Sequence, residues 1–460
     1  MSTTTNIAAR LESVLGTTRV IQQDEELREY AVDGVIPGAI VRPANSAEVV
    51  ELVRFASRDG LGLIASGSRS KLNMGMPPVR YVIAVDMRNM QEIAHYDAGD
   101  MTLSVDAGMP LRVLEKVLSE EHQFLPLAVP CYETSTVGGA VASGIDSLLR
   151  KQYGSVRDFL IGAEFVDGKG NLCKSGGRVV KNVSGYDLHK LLVGSMGTLA
   201  ILTRLNFRTF PSPQAFAGFV SSFADVDKAL AYQSFLQAKG LPLANVELLN
   251  PEAVALVRQL LDKSNQSLPL DNHSSHWHVY VSYEGSESLV ERISRELQII
   301  AREAKAIQGS ELSTNAEAHL SGVLREAFDW LRWAAPSVAL FRIGLPHFAA
   351  KDIVGLQRIA SEANLRCALL IRATSIFYFT VLAEQEHLSS IDALSNVAEK
   401  LFAEVDEAQG SAVLLHAPQT LKQRINVWGA RRGDFFMMER VKHAFDLNSI
   451  FSPGRFVGGL

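Results

Sequence analysis

The sequence predicts a two-domain protein of the α+β or α/β class, and three observations support this prediction. Between residues 40 and 210, short β-branched runs alternate with helical stretches, and clusters of glycine lie at the junctions. A boundary rich in proline follows at Pro211 and Pro213, and further aliphatic helices and strands come after it. The length of 460 residues is enough for two domains that share a substantial core.

The elements before the boundary follow from hydrophobic periodicity. Ser46 precedes an amphipathic run with Glu48 near its start, which predicts an N-capped helix that ends near Asp59 and Gly60. We expect strands at residues 61–66, 82–87 and 102–108, a helix from Leu111 to Glu121, and a hairpin that turns at residues 167–170.

The elements after the boundary repeat this alternation. Helical periodicity predicts helices at residues 226–239, 251–263 and 287–305, and apolar runs predict strands at residues 278–285, 339–346 and 367–383. From Leu421 the sequence predicts one long helix that stops at a turn between Asp446 and Gly454. The spacing of Trp330 and Trp333 predicts that both belong to the core face of a helix.

Composition excludes several classes of function. Lys and Arg number 45 against 50 Asp and Glu, so the net charge of −5 provides no basic excess for nucleic acid or anionic lipid. The partner is expected to be a small polar metabolite. Three scattered cysteines without a C-x-x-C pair predict no disulfide framework and no metal centre in this chain. The polar first twenty residues and the absence of a long apolar run predict a cytoplasmic protein that contacts a membrane only through a partner.

Two nucleotide-binding patterns are present only in part. Residues 60–65 fit G-x-G-x-x-G/A, but here the glycines follow a helix and enter a strand, which is the reverse of the dinucleotide-binding order. Gly62 and Gly67 have the spacing of a phosphate-binding P-loop, but Ser68 and Arg69 follow where Lys and Ser/Thr are required. We therefore reject both motifs.

Four loops of small residues remain, at residues 65–71, 130–144, 151–158 and 181–201. Small side chains let successive backbone N–H groups converge on an anion, and Arg69 and Lys71 add positive charge to the first loop. The first loop alone is equally consistent with a surface turn. Four such loops in one domain are not explained by packing, and they predict a site for a phosphate-bearing cofactor.

The motifs S-G-S-R-S-K, T-V-G-G, Y-G-S-V-R-D and V-K-N-V-S-G-Y-D-L, in this order, resemble the FAD-binding domain of the vanillyl-alcohol-oxidase / p-cresol-methylhydroxylase superfamily. The ending F-D-L-N-S-I-F-S-P-G-R-F is similar to the ending of that superfamily. Within it, the chain resembles the FAD-binding (E-type) subunits of glycolate oxidase and the D-2-hydroxyacid dehydrogenases. The resemblance implies an α+β fold with an FAD-binding domain (1–210), an α+β cap domain (211–413) and a C-terminal segment (414–460) that returns to the FAD domain.

The resemblance also implies roles for individual residues. Residues 67–71 and 136–139 would hold the FAD diphosphate, residues 143–144 and 153–154 would lie along the ribityl chain and the isoalloxazine, and residues 197–201 would hold the adenine. The full set of expected FAD-binding residues is Ser66, Gly67, Ser68, Arg69, Ser70, Lys71, Pro130, Thr134, Thr136, Gly138, Gly139, Ser143, Gly144, Tyr153, Gly154, Gly194, Gly197, Ile201, Asn448 and Arg455.

The sequence departs from the superfamily in two places. Relatives with covalent FAD carry a histidine beside the first loop; no histidine lies between residues 60 and 80, so we expect noncovalent FAD, although Cys131 stands where doubly linked relatives place a cysteine. Metal-dependent D-2-hydroxyacid dehydrogenases carry G-E-H-G-I-G, where this chain has residues 410–418 with His416. The usual base and metal ligands are therefore missing.

Several candidate residues keep two interpretations. His416 is either a substitute base or hydrogen-bonded scaffolding. Arg342 and Arg372 lie in apolar strands and need a partner, which is either a substrate carboxylate or a neighbouring acid. The cluster of His273, His276 and His278 suggests a metal site, but its polar surroundings favour a solvated loop.

The resemblance implies FAD-dependent oxidation of a 2-hydroxy acid such as glycolate or D-lactate. The arginines would hold the carboxylate, and a base would take the hydroxyl proton. Because the chain has no cysteine cluster, electrons would leave through a separate iron–sulfur subunit, with a paralogous flavoprotein as a further partner. The alternatives are a noncatalytic FAD-holding subunit whose active site lies in the paralogous chain, and a stand-alone oxidase that uses oxygen.

Overall fold

The computed structural model describes residues 4–178, 185–263, 275–385 and 387–460. The part before Pro211 is built, in chain order, from α1 (Thr4–Leu15), β1 (Val20–Ile21), α2 (Asp24–Glu29), β2 (Ala39–Val41), α3 (Ser46–Asp59), β3 (Leu63–Ser66), β4 (Ile83–Asp86), β5 (Ile93–Asp97), β6 (Thr102–Asp106), α4 (Leu111–Glu120), β7 (Gln123–Phe124), α5 (Val137–Ser143), α6 (Arg150–Tyr153), α7 (Val156–Phe159), β8 (Leu160–Val166), β9 (Leu172–Gly176), α8 (His189–Leu192), β10 (Ile201–Arg208) and β11 (Phe210–Pro211).

The part after Pro211 continues with longer helices. Its elements are β12 (Ala215–Phe223), α9 (Val226–Ala238), β13 (Asn245–Leu249), α10 (Pro251–Lys263), β14 (Trp277–Gly285), α11 (Glu287–Glu303), β15 (Gln308–Leu312), α12 (Thr314–Arg325), α13 (Ala327–Leu331), β16 (Ser337–Gly344), α14 (Ala350–Glu362), β17 (Arg366–Arg372), β18 (Ile376–Ala383), α15 (Leu388–Glu407), β19 (Ser411–His416), α16 (Gln419–Lys422) and α17 (Phe435–Phe445).

Two sheets form the framework of the first half. The first has the strand order β1-β2-β4-β3, in which β4 runs parallel to β2 and β3. The second has the order β5-β6-β10-β8-β9 and is antiparallel throughout. The predicted hairpin at residues 167–170 is confirmed as the β8–β9 pair. Helix α3 begins one residue earlier than predicted, because Asn45 Oδ1 rather than Ser46 accepts the Glu48 N–H at 3.0 Å.

One eight-stranded antiparallel sheet forms the centre of the second half, with the order β15-β12-β14-β13-β17-β18-β16-β19. Helices α9, α11, α14 and α15 cover one face, and α10, α12 and α13 cover the other. The second face also receives Met74, Ile145 and Leu148 from the first half of the chain. The two halves therefore share a buried apolar contact, which fixes the second half beside the loops that follow β3 and α5.

Two expectations for the second half are wrong. Residues 367–383 form two paired strands, β17 and β18, because Ala373 and Thr374 adopt left-handed backbone conformations that turn the chain. The expected long helix from Leu421 is divided into α16 and α17. Gly429 lies between them with φ +71°, and Trp428 Nε1 donates to the Arg455 carbonyl at 3.0 Å, so this stretch crosses to the tail instead of continuing as a helix.

The last residues of the chain return to the first sheet. Phe451 forms a parallel bridge with Leu63, and Ser452 N donates to the Leu63 carbonyl at 2.8 Å. Arg455 then reaches the loop that follows β3. None of the helices in the described ranges combines the length and apolar character needed to cross a bilayer.

Candidate cofactor and substrate site

A cleft with about 880 Å³ of empty space, open to solvent on one side, lies between the two sheets of the first half. Its walls come from the loop after β3, from α5, from the segment before β10 and from the tail. The lining residues are Ala65, Ser66, Gly67, Ser68, Arg69, Ser70, Lys71, Leu72, Met74, Met87, Ala107, Ser135, Thr136, Gly138, Gly139, Ala142, Ser143, Ser195, Met196, Gly197, Ala200, Ile201, Leu202 and Arg455.

Two glycines let the walls of the cleft approach each other closely. A Cβ on Gly67 would lie 2.1 Å from Thr136 Oγ1, and a Cβ on Gly138 would lie 2.7 Å from Ala107 Cβ. Thr136 is the N-cap of α5 and accepts the Gly139 N–H at 3.2 Å. The first and second loops are therefore in direct contact, and no larger side chain fits between them.

The cleft contains polar atoms that the protein alone does not satisfy. Within the described part of the chain, Ser66 Oγ, Arg69 Nη1 and Arg455 Nε are buried and have no hydrogen-bond partner. Arg69 also pairs with Glu29 at 2.9 Å and lies over the Tyr30 ring, and Arg455 Nη2 donates to the Met74 carbonyl at 2.6 Å. Since buried donors without partners are costly, these atoms fit a ligand that carries phosphate oxygens.

Positive charge from both halves of the chain meets at one end of the cleft. Lys71 Nζ donates to Ser135 Oγ at 2.7 Å, and burial lowers the pKa of Lys71 to about 8. Arg332 is the residue that follows α13, and its Nη1 donates to the Ser70 carbonyl at 3.1 Å. This end, which we call the cap-facing end, is lined by Ser70, Lys71 and Ser135, and Arg332 contacts it through the Ser70 carbonyl.

The structure brings most of the expected FAD-binding residues together. The ones that line the cleft are Ser66, Gly67, Ser68, Arg69, Ser70, Lys71, Thr136, Gly138, Gly139, Ser143, Gly197, Ile201 and Arg455. Gly144 and Gly194 contact each other and line a second cavity beside α5. The first four residues of the fourth loop, 181–184, lie outside the described residues.

Five further residues of the expected FAD-binding set lie outside the cleft: Pro130, Thr134, Tyr153, Gly154 and Asn448. The Tyr153 hydroxyl donates to Glu284 on β14, so this residue joins the two halves, and Gly154 ends α6 with φ +79°. The Asn448 amide donates to Ser57 Oγ at 3.0 Å on the far end of α3. The Pro130 carbonyl accepts from Ser135 Oγ, and Thr134 is exposed.

The two arginines expected to hold a substrate carboxylate are paired with protein carboxylates. Arg342 Nε donates to Asp146 at 2.5 Å, and Arg372 Nε donates to Glu247 at 2.8 Å with both side chains fully buried. Arg372 also donates to the Leu324 and Asp146 carbonyls. The alternative of a neighbouring acid therefore accounts for the contacts of both residues.

His416 lies at the end of β19, and its ring centroid is 5.8 Å from that of Trp333, the residue next to Arg332. Burial, with smaller contributions from Arg332 and Lys422, lowers the pKa of His416 to about 4. The imidazole is therefore neutral near pH 7 and has a nitrogen lone pair that can accept a proton.

This lowered pKa predicts a pH dependence of stability. The unfolded chain binds the His416 proton near pH 6.5 and the folded chain only near pH 4, so the free energy of unfolding falls as the pH drops through this interval. In a His416→Asn variant, we expect a flatter pH dependence between pH 4.5 and 6.5, measured by urea unfolding. An unchanged slope in the variant would contradict the assigned shift.

Other candidates from the sequence have different surroundings. Trp330 is partly buried and donates to the Val323 carbonyl at 2.7 Å, but Trp333 is 70% exposed, so the prediction that both form a core face is wrong for Trp333. His273 lies outside the described residues, and His278 is buried in β14. Across the described ranges, no group of three or more His, Cys, Asp or Glu side chains could hold a metal ion.

The sequence analysis missed the apolar part of the lining and the contribution of the cap. Met74, Met87, Ala107 and Leu202 line the cleft but belong to none of the four small-residue loops, whereas Met196 lies within the fourth loop, residues 181–201. Arg332 gave no sequence signal because its role depends on how α13 meets the loop after β3. Met196 lies inside a predicted loop, and Met74 and Leu202 lie within three residues of one, so proximity to the loops is the signal that could have found them.

The fold and the cleft are those of a two-part flavoprotein. Residues 37–176 match the FAD binding domain family, and residues 212–456 match the C-terminal domain of FAD linked oxidases. The structure of p-cresol methylhydroxylase aligns over 99% of this chain and 97% of that one, with a TM-score of 0.77 and 16% identity.

The chain belongs to the FAD-linked oxidases of the p-cresol-methylhydroxylase / vanillyl-alcohol-oxidase superfamily. It is 23% identical to the glycolate oxidase subunit GlcD of Bacillus subtilis over 91% of this chain and 89% of that protein. It is 38% identical to the glycolate oxidase subunit GlcE of Escherichia coli over 37% of this chain and 48% of that protein.

Proposed function

We propose that this chain oxidises a 2-hydroxy acid such as glycolate or D-lactate with FAD as the hydride acceptor. The observation that carries the proposal is the cap-facing end of the cleft, where Lys71 and Arg332 supply positive charge and His416 supplies a neutral imidazole nearby. The relationship to glycolate oxidase subunits supports the same class of substrate.

The chemistry divides between the cofactor and the protein. FAD, when bound, supplies a ring system that accepts a hydride from the α-carbon of the substrate. The protein's cations orient the carboxylate, and His416 accepts the hydroxyl proton, so that the 2-hydroxy acid becomes a 2-oxo acid. Met74 and Met196 contribute to the apolar part of the cleft lining.

Anaerobic titration of the purified flavoprotein tests this function. We expect the flavin absorbance near 450 nm to bleach on addition of glycolate or D-lactate, because two electrons and a proton pass to the cofactor. L-lactate serves as the stereochemical control and is expected to bleach the flavin more slowly than D-lactate. Flavin that stays oxidised with the whole panel would contradict the proposal.

A noncatalytic, FAD-holding subunit is the second candidate, and one observation favours it. Arg342 and Arg372, two arginines of the eight-stranded sheet, are both paired with protein carboxylates. In that case the flavin stays oxidised with 2-hydroxy acids, but a chemically reduced sample passes electrons to a paralogous flavoprotein. Stopped-flow mixing of the two proteins would detect this transfer.

We also propose that electrons leave through an iron–sulfur subunit in a complex with a paralogous flavoprotein. The three cysteines of this chain are unpaired and far apart in sequence, so a cluster must come from another chain. Such a complex could contact the inner membrane from the cytoplasmic side. Copurification of tagged protein with an iron–sulfur protein supports this arrangement, whereas stoichiometric peroxide release by the isolated chain indicates an oxidase.

We propose that FAD is held without a covalent bond. The first loop, residues 66–71, contains no histidine, and burial raises the pKa of the Cys131 thiol, which keeps it protonated and poorly nucleophilic. Acid precipitation should therefore release all of the flavin into the supernatant. Yellow colour that remains in the protein pellet would indicate a covalent link.

A further inference from the structure

The ammonium group of Lys71 has no anionic partner within the described protein. Its Nζ donates to Ser135 Oγ at 2.7 Å and lies 3.4 Å from Ser70 Oγ. Among the residues that the structure describes, no carboxylate oxygen lies within 4.0 Å of it. The side chain lines the cleft, so the unmatched charge faces the space in which ligands bind.

Arg332 brings a second cation to the same place from the other half of the chain. Its Nη1 donates to the Ser70 carbonyl at 3.1 Å, and its guanidinium lies 5.1 Å from the Phe328 ring and 5.4 Å from the Trp333 ring. Arg332 Nε is buried and has no hydrogen-bond partner among the residues that the structure describes. A donor therefore remains free on this guanidinium beside Lys71.

The acids around these two cations are already engaged. Asp329 pairs with Arg332, while Glu326 pairs with Arg325 at 3.1 Å and accepts the backbone N–H groups of Cys131 and Tyr132. The remaining titratable group that faces Lys71 is the Cys131 thiol, which burial keeps neutral. Each of these acids therefore already has an arginine partner, and both act on Lys71 only from beyond ion-pair distance.

We propose that Lys71 and Arg332 together bind the carboxylate of the 2-hydroxy acid, so that each half of the chain contributes one cation to the substrate. This assignment rests on the proposed function and replaces Arg342 and Arg372 in that role. It also assigns Lys71 to the substrate, whereas the resemblance implied that Lys71 binds the FAD diphosphate. Two donors on separate elements suit the two oxygens of one carboxylate.

Lys71→Met and Arg332→Met test the assignment, with oxalate as a carboxylate probe that the flavin does not oxidise. We expect each variant to retain one flavin per chain and to bind oxalate about 10- to 100-fold more weakly, measured by the change in flavin absorbance. Lys400→Met, which removes an exposed cation paired with Glu362, is the matched control and should bind oxalate like the wild type.

A pH series separates a direct role of Lys71 from a structural one. Because the pKa of Lys71 is lowered to about 8, oxalate affinity in the wild type should fall as the pH rises above 8. A Lys71→Arg variant keeps its charge, so it should bind oxalate at pH 7 and lose this dependence. A merely structural role for Lys71 would not move the pH profile in this way.

The outcomes distinguish this inference from the proposed function. Variants that keep their flavin and bind oxalate like the wild type overturn the inference, even if the wild type is reduced by glycolate. Loss of flavin from Lys71→Met would indicate that Lys71 binds the FAD diphosphate, and this result also overturns the inference. Wild-type protein that binds oxalate through these residues but is not reduced by any 2-hydroxy acid supports the inference and contradicts the proposed function.

Discussion

Replacing Glu247 with glutamine is expected to destabilise the protein by about 3–5 kcal/mol. The Arg372 guanidinium faces Glu247 across the β13–β17 pair, and neither side chain is exposed to solvent. Replacing the carboxylate with a neutral amide leaves a buried positive charge whose other partners are the carbonyls of Asp146 and Leu324 and the Tyr378 ring, all of them uncharged. Urea unfolding followed by tryptophan fluorescence measures the loss.

Two further variants test whether the unpaired buried charge causes the loss of stability in Glu247→Gln. The double variant Glu247→Leu with Arg372→Met removes both charges, and we expect it to be more stable than the single variant because no buried charge remains. Glu362→Gln breaks the exposed contact with Lys400 and should cost less than about 1 kcal/mol. If Glu247→Gln costs no more than Glu362→Gln, the buried pair does not contribute as proposed.

Substituting Gly67 with alanine is expected to weaken FAD binding by about 10- to 100-fold. The new Cβ would lie 2.1 Å from Thr136 Oγ1, so the first loop and the N-terminus of α5 must move apart, and overpacking of this kind costs about 1–3 kcal/mol. Both residues line the cleft, so the displacement changes the walls that contact the cofactor. Flavin content after dialysis and titration of the apoprotein with FAD measure the change.

Gly322→Ala is the matched control for this substitution. Gly322 lies in α12, and a Cβ there would meet no atom within 4 Å, so the variant should retain its flavin and gain a few tenths of a kcal/mol of stability. Wild-type FAD affinity in Gly67→Ala would show that the loop relaxes freely and that contact between the two loops does not shape the cleft.

The sequence predicts best what depends on local geometry. The loop at residues 66–71 and the Thr136–Gly139 turn line the cleft because small residues at a strand end or a helix start permit close backbone approach, which is readable from composition and spacing. Helices α10 and α11 agree with their predicted bounds to within two residues, since amphipathic periodicity is strong there, and α9 agrees equally well although its apolar residues are not confined to one face.

What the sequence does not predict depends on contacts between distant elements. Arg342 and Arg372 lie in apolar strands and could pair with either a ligand or a protein acid. The fold brings Asp146 to Arg342 and Glu247 to Arg372, so both arginines pair with protein acids. Trp333 has the spacing of a core residue but lies beyond the end of α13, where it contacts the His416 ring and stays 70% exposed. Helical periodicity near Leu421 is likewise overridden by the contact between Trp428 and the tail.

The return of the tail to the first sheet has a consequence for how the holoprotein is made. Arg455 donates to the carbonyl of Met74, 381 positions earlier in the chain, and Phe451 extends the sheet beside Leu63. A ribosome must release residue 455 before this wall can close. We therefore expect FAD to bind late in biogenesis, because the cleft of a nascent chain lacks the wall that the tail provides.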